Sequence, residues 1–226
     1  MKAEWIVRRG GGTLLLFFNG WGMDRRVADW VVSASAAFDG RDIAVVYDYR
    51  DLTLPDWLGE AVAGVDSVEL LAWSMGVWAA ARAGLEKVDR AVALNGTPWP
   101  RDAERGISPE VFMGTLDGWN DANRQRFERR MMVGVPQEVV ESVRSERNSA
   151  EQKEELQAIA DALSEGLPDA LPAWNYSKAI IGGRDQIFRA ENQRCAWREA
   201  GVPVVEFPDM PHFPFYHPEV LEELFA

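Results

Sequence analysis

The sequence predicts an α/β fold: a mostly parallel sheet flanked by helices, with a helical lid inserted between sheet strands. Three observations carry this expectation. Short runs rich in Val, Ile and Leu recur without strict alternation, the pattern of strands buried on both faces. Segments of good helix formers lie between them, so strand and helix follow each other in repetition. The stretch 106–172 breaks that rhythm, with several helical segments and no convincing strand.

The elements follow in order. "EWIV" (4–7) and "TLLLFF" (13–18) flank "RRGGG" and read as a hairpin. Strands are expected at "DIAVVYDY" (42–49), "SVELLAW" (67–73), "RAVALNG" (90–96), "KAIIGG" (178–183) and "VPVVEF" (202–207). Helices are expected at 74–88 and 189–201, each ending in or near Gly or a basic residue. A last helix begins at Pro218, where Leu221, Leu224 and Phe225 share a face. Within 106–172, "SPEVFMGTL", "DANRQRFERRMM", "PQEVVESVRSE" and "AEQKEELQAIADALSEG" each read as helix. The expected organisation is a core of 1–105 and 173–226 carrying a lid of 106–172. There is no internal repeat or low-complexity tract.

Composition narrows the function. The 226 residues, 47% hydrophobic and 27% charged, suit one α/β domain with a large core. A net charge of −12 disfavours nucleic-acid binding, since phosphate repulsion would have to be overcome locally. "TLLLFF", the longest apolar run, is too short to cross a bilayer, and "MKAEWIVRRGGG" has no apolar segment of a secretory signal. The single cysteine, Cys195, reads as a buried packing residue and suits a reducing compartment; a cytoplasmic protein is expected.

"AWSMG" (72–76) raises the question of chemistry. It departs at one position from Gly-x-Ser-x-Gly, the turn that presents a serine between a strand and a helix. Residues two before and two after such a serine must be small, and Ala72 and Gly76 are. Alone, the motif leaves Ser74 as a nucleophile or as a small residue packed under a helix.

A serine nucleophile needs a base, and the sequence holds two histidines. His217 precedes Pro218 and reads as a cap or surface residue. His212, in "DMPHFPF", follows the last expected strand, where a base could reach the turn. Asp185, in "IIGGRDQIF", follows the strand before it and could orient the imidazole, although Asp is also common in Gly-rich turns. The order Ser74, Asp185, His212 is the one this chemistry uses on such a sheet. For an oxyanion, the expected donors are the amides of Met75 and of Trp21 in "FFNGWGMD". The bland reading of "NGWG" is a turn with an aromatic anchor. No Cys/His ligand cluster is present in the sequence, so no metal or organic cofactor is expected.

The elbow "AWSMGVW", the "NGWG" loop, "VVYDYRDL" (45–52), "ALNGTPWP" (93–100), "GISPEVFMGTL" (106–116) and "RDQIF" (184–188) together resemble the BioG family. Its members are pimeloyl-[acyl-carrier protein] methyl ester esterases of biotin synthesis. The resemblance implies an α/β-hydrolase fold with a helical lid, Ser74 as nucleophile, His212 as base and acid, and Asp185 as orienting acid. It also implies an acyl carrier protein as partner. That partner is acidic, so a local positive patch is needed. Arg124, Arg126, Arg129 and Arg130 crowd "NRQRFERRMM", with Arg144 and Arg147 further on. Arg126 and Arg130 share a helix face and Arg129 lies near both. The patch is a docking surface, or a solvated face offset by the acidic helix 151–165. Val111, Phe112, Met113, Leu116, Trp119, Phe127, Met131 and Met132 would line an acyl channel or form the seam between lid and core. A general carboxylesterase or thioesterase of the same fold, or a non-catalytic binding protein, stands as the alternative.

Overall fold

The computed structural model describes residues 1–165 and 174–226. Its sheet has seven strands among these residues: β1 (Lys2–Val7), β2 (Thr13–Phe18), β3 (Asp42–Tyr47), β4 (Ser67–Trp73), β5 (Arg90–Leu94), β6 (Lys178–Gly182) and β7 (Val204–Phe207). Their order is β1-β3-β2-β4-β5-β6-β7, and every pairing is parallel except β1 with β3.

The expected hairpin is therefore absent: β3 lies between β1 and β2. Burial explains why. Leu14 to Phe18 are all fully buried, so β2 needs strands on both sides and helices on both faces. β1 is only partly buried and tolerates an edge. The Gly-rich link crosses the start of β3, where the Arg9 and Gly10 amides donate to the Asp42 carboxylate.

Side chains alternate across the sheet into two apolar layers. Leu14, Leu16, Phe18, Leu70 and Ala72 face one layer, with Trp78 and Trp197; Leu15, Phe17, Leu71 and Trp73 face the other, with Val27, Val31 and Leu224. Fully burying such a side chain contributes about 1.5–3 kcal/mol. Two helices stand outside the sequence expectations, α1 (Arg26–Ala34) and α2 (Asp56–Ala63), each linking parallel strands. The helix after the elbow, α3 (Met75–Ala80), is shorter than its expected span. Beyond it the chain turns, and Gly84 takes a positive φ that no helix accommodates.

The four expected lid segments are helical: α4 (Pro109–Asp117), α5 (Asp121–Met131), α6 (Gln137–Val143) and α7 (Ser149–Ser164). Ser108, Asn120 and Asn148 cap α4, α5 and α7 through their side chains, the last in a capping box with Glu151. The expected lid boundary at 172/173 lies outside the described residues. α8 (Ala190–Glu199) and α9 (Pro218–Glu223) complete the helices named here. Cys195 is on α8, half-buried rather than buried, its thiol beside Glu199. Among the described residues no helix is long and apolar enough to cross a membrane.

Gly76 fixes how closely α3 approaches β2. A Cβ there would fall inside contact distance of the Phe18 and Asn19 carbonyl oxygens. Backbone atoms cannot rotate away, so Gly76→Ala should destabilise by at least the roughly 1–3 kcal/mol typical of overpacking. A urea midpoint unchanged from wild type would contradict this tight approach.

Candidate active site

Three side chains from the carboxyl edge of the sheet meet. Ser74 sits between β4 and α3 at φ +59° and ψ −125°, a strained conformation for a residue with a side chain. His212 lies in the loop after β7 and Asp185 in the turn after β6. The His212 Nε2 is 3.0 Å from Ser74 Oγ, and its Nδ1 is 2.9 Å from Asp185 Oδ2. All three are buried. With Nδ1–H donated to the carboxylate, neutral His212 presents Nε2 as an acceptor for the Ser74 hydroxyl.

The carboxylate is itself held in place. Asp185 Oδ1 accepts the Ile187 and Phe188 amides, at 2.7 and 2.9 Å. Gln193 Nε2 on α8 donates to Oδ2 at 3.2 Å. The Phe188 ring stacks on the imidazole with 9° between planes. These contacts fix the imidazole plane, which a proton relay requires.

The elbow and the loop after β2 line one cavity with Ser74 and His212. Gly20, Trp21 and Met75 contribute to its wall. A Cβ on Gly20 would lie 3.1 Å from the Trp73 ring and 3.5 Å from Ser74 Cβ, so this loop lies directly against the serine. Neither the Trp21 nor the Met75 amide donates to any described residue.

A family model described as pimeloyl-ACP methyl esterase BioG matches residues 1–219. The chain belongs to this family. It is 39% identical over 189 residues to a malonyl-[acyl-carrier protein] O-methyltransferase of Bacteroides fragilis, covering 82% of this chain. It spans 36% of that relative's length. It is 31% identical to an uncharacterized protein of Haemophilus influenzae over 83% of both chains. The crystal structure of BioG from Haemophilus influenzae superimposes with a TM-score of 0.81 at 29% identity, covering 96% of this chain and 95% of that one. An esterase from Exiguobacterium antarcticum, 16% identical, shares the α/β-hydrolase fold with a TM-score of 0.72 over 99% of this chain and 93% of its own.

Other residues of this BioG-family chain lie differently from expectation. Arg124 is turned into the lid: it pairs with Glu128 and donates to the Ser145 and Arg147 carbonyls, so it presents no charge to a partner. Arg147 is buried, paired with Glu155. Arg126, Arg129 and Arg130 instead border a surface depression that adjoins the cavity and shares Phe127, Arg130 and Gln186 with it. Among the described residues no carboxylate pairs with these three. None of them forms an ion pair with a described carboxylate of α7. Val111, Phe112, Phe127 and Met131 line the cavity, and Trp119 borders the depression. Leu116, Met113 and Met132 pack into the apolar layers. His217 occupies the N-cap position of α9 without a side-chain capping bond, and its Nδ1 lies 3.3 Å from Glu219 Oε1.

Sequence reasoning missed Asn95 and Trp73 as supports of the histidine loop. Asn95 Nδ2 donates to the Pro211 and His212 carbonyls at 2.8 and 3.0 Å, and its Oδ1 accepts the Gly182 amide at 2.7 Å. Trp73 Nε1 donates to the same His212 carbonyl. A polar residue closing an apolar strand, as in "ALNG", was the available signal. Asn95→Ala leaves buried donors and acceptors unpaired, each worth about 1–3 kcal/mol. It should lower stability by at least about 2 kcal/mol and displace His212. Denaturation and a histidine NMR titration check both, and an unshifted His212 resonance would contradict the support role.

Proposed function

We propose that this chain is a serine esterase that hydrolyses the methyl ester of pimeloyl-acyl carrier protein. The observation that carries the reading is the His212 ring, hydrogen-bonded to Ser74 Oγ on one side and Asp185 on the other, in the wall of an apolar cavity. Membership of the BioG family supports the choice of ester.

In the proposed reaction, His212 Nε2 takes the hydroxyl proton as Ser74 Oγ bonds to the ester carbonyl carbon. Asp185 stabilises the imidazolium without taking the proton. The carbonyl oxygen, now anionic, accepts the Met75 and Trp21 amides; one such donor is worth about 10²–10³ in rate. The imidazolium returns its proton to the methoxy oxygen, the C–O bond breaks and methanol leaves. Water, deprotonated by His212, then attacks the acyl-enzyme; the acid is released and Ser74 regains its proton. The acyl chain occupies the apolar cavity, and its carrier-linked end leaves past Phe127 and Arg130.

The carrier is acidic and this chain bears −12, so contact depends on a local field. We assign that role to Arg126, Arg129 and Arg130, whose charges no described carboxylate neutralises, and not to Arg124.

Two measurements test the reading. Mass spectrometry of pimeloyl-carrier methyl ester should show loss of the methyl group with the thioester intact, and Ser74→Ala should lower the rate by at least about 10³. Release of the carrier thiol instead would favour a thioesterase. Arg126→Glu with Arg130→Glu should raise KM for the carrier-bound ester about tenfold or more and leave that for a small soluble methyl ester near wild type. Equal loss on both substrates would count against docking.

A further inference from the structure

The lid and the cavity wall are joined by a buried polar cluster that the proposed chemistry does not use directly. Glu155, on α7, is fully buried. Its carboxylate accepts three hydrogen bonds: from the Gly22 amide at 3.1 Å, the Tyr49 amide at 3.0 Å and the Arg147 guanidinium at 2.7 Å. Arg147 also donates to the Met23 carbonyl and lies 3.4 Å from Asp48. Gln152, one turn before Glu155, donates to the Gly22 carbonyl, and its own carbonyl accepts the Trp21 indole N–H. The turn from Gly20 to Met23 is thus gripped at the Trp21 side chain, at both polar groups of Gly22 and at the Met23 carbonyl, all from the first two turns of α7 and from Arg147, two residues before it.

Burying two carboxylates has a large desolvation cost unless they are paired and hydrogen-bonded. Burial raises the Glu155 carboxyl above the ordinary Glu range, against the opposing pull of Arg147 and the two amides. Burial would also raise Asp48, but Arg50, Arg147 and Lys2 outweigh it and hold that carboxyl well below its usual value. The cluster also fixes position: Gly22 has φ +74°, and its amide can point at Glu155 only with the Trp21–Gly22 peptide in one orientation.

We propose that Glu155 is a positioning residue that, with Arg147 and Gln152, holds the Gly20–Met23 turn so that the Trp21 amide stays in the cavity wall opposite Ser74. On this view α7 belongs to the catalytic frame, and the parts of the lid free to admit substrate are α4 and α5. The inference rests on the esterase reading above, in which the Trp21 amide serves the oxyanion.

Glu155→Gln tests it. The amide keeps the volume but removes the charge paired with Arg147 and sets an NH2 against at least one of the three donors, so the hold on the turn is weakened. With p-nitrophenyl butyrate, kcat should fall about 10- to 100-fold while KM stays within about twofold, as for a displaced oxyanion donor. The affinity of an aliphatic trifluoromethyl ketone, which adds Ser74 and carries an oxyanion, should fall by the same factor. A merely structural role would leave that affinity unchanged in the folded fraction. A folded Glu155→Gln with kcat and inhibitor affinity both within about twofold of wild type overturns the proposal. Should this variant not fold, Gln152→Met carries the test: it removes the bond to the Gly22 carbonyl, and a parallel fall of about threefold or more in both quantities supports the clamp, no fall overturns it. A wild type without Ser74-dependent hydrolysis would instead sink the esterase reading and the catalytic meaning of the clamp with it.

Discussion

The architecture of the site turns on one backbone conformation. Ser74 at φ +59° lifts its hydroxyl off the end of β4, and this works only because Gly76 and Gly96, packed around it, lack side chains. A Cβ on Gly96 would fall within contact distance of the Ser74 carbonyl, and one on Gly76 would meet the strand beside it. Asp48 and Asn95, at the ends of β3 and β5, share the positive φ. Three strained residues therefore stand along one sheet edge, each costing of the order of 1–3 kcal/mol. The two apolar layers beneath hold them there.

Polar side chains turn that strain into a defined geometry. On one flank, Asn95 and Trp73 fasten the loop that carries His212; on the other, Glu155 and Arg147 fasten the loop that carries Trp21. The lid accordingly has two characters. Its α7 side is tied to the core by buried charge, whereas Val111, Phe112, Phe127 and Met131 of α4 and α5 meet the cavity through apolar contacts that any hydrocarbon chain can replace.

Much of this was legible from residue order. The parallel strands followed from unalternated apolar runs, and Ser74, Asp185 and His212 from their places after three of those strands. What failed was non-local. "RRGGG" signals a reversal but not which strand enters between its arms, so β3 could not be foreseen beside β1. Charge in "NRQRFERRMM" says nothing of direction, and Arg124 turns inward while Arg126, Arg129 and Arg130 border the cavity mouth. Likewise "AEQKEEL" holds three glutamates in one helix; Glu154 is mostly exposed and Glu155 wholly enclosed, and only packing separates them.

The long sequence separation of the site has a temporal consequence. Ser74 and His212 lie 138 residues apart, and the His212 carbonyl is anchored on Trp73 and Asn95, far from it in sequence. As the chain leaves the ribosome, the elbow, the Gly20–Met23 turn and helices α4 to α7 are synthesised before the imidazole exists. The Ser74–His212 hydrogen bond is thus among the last contacts available to the growing polypeptide.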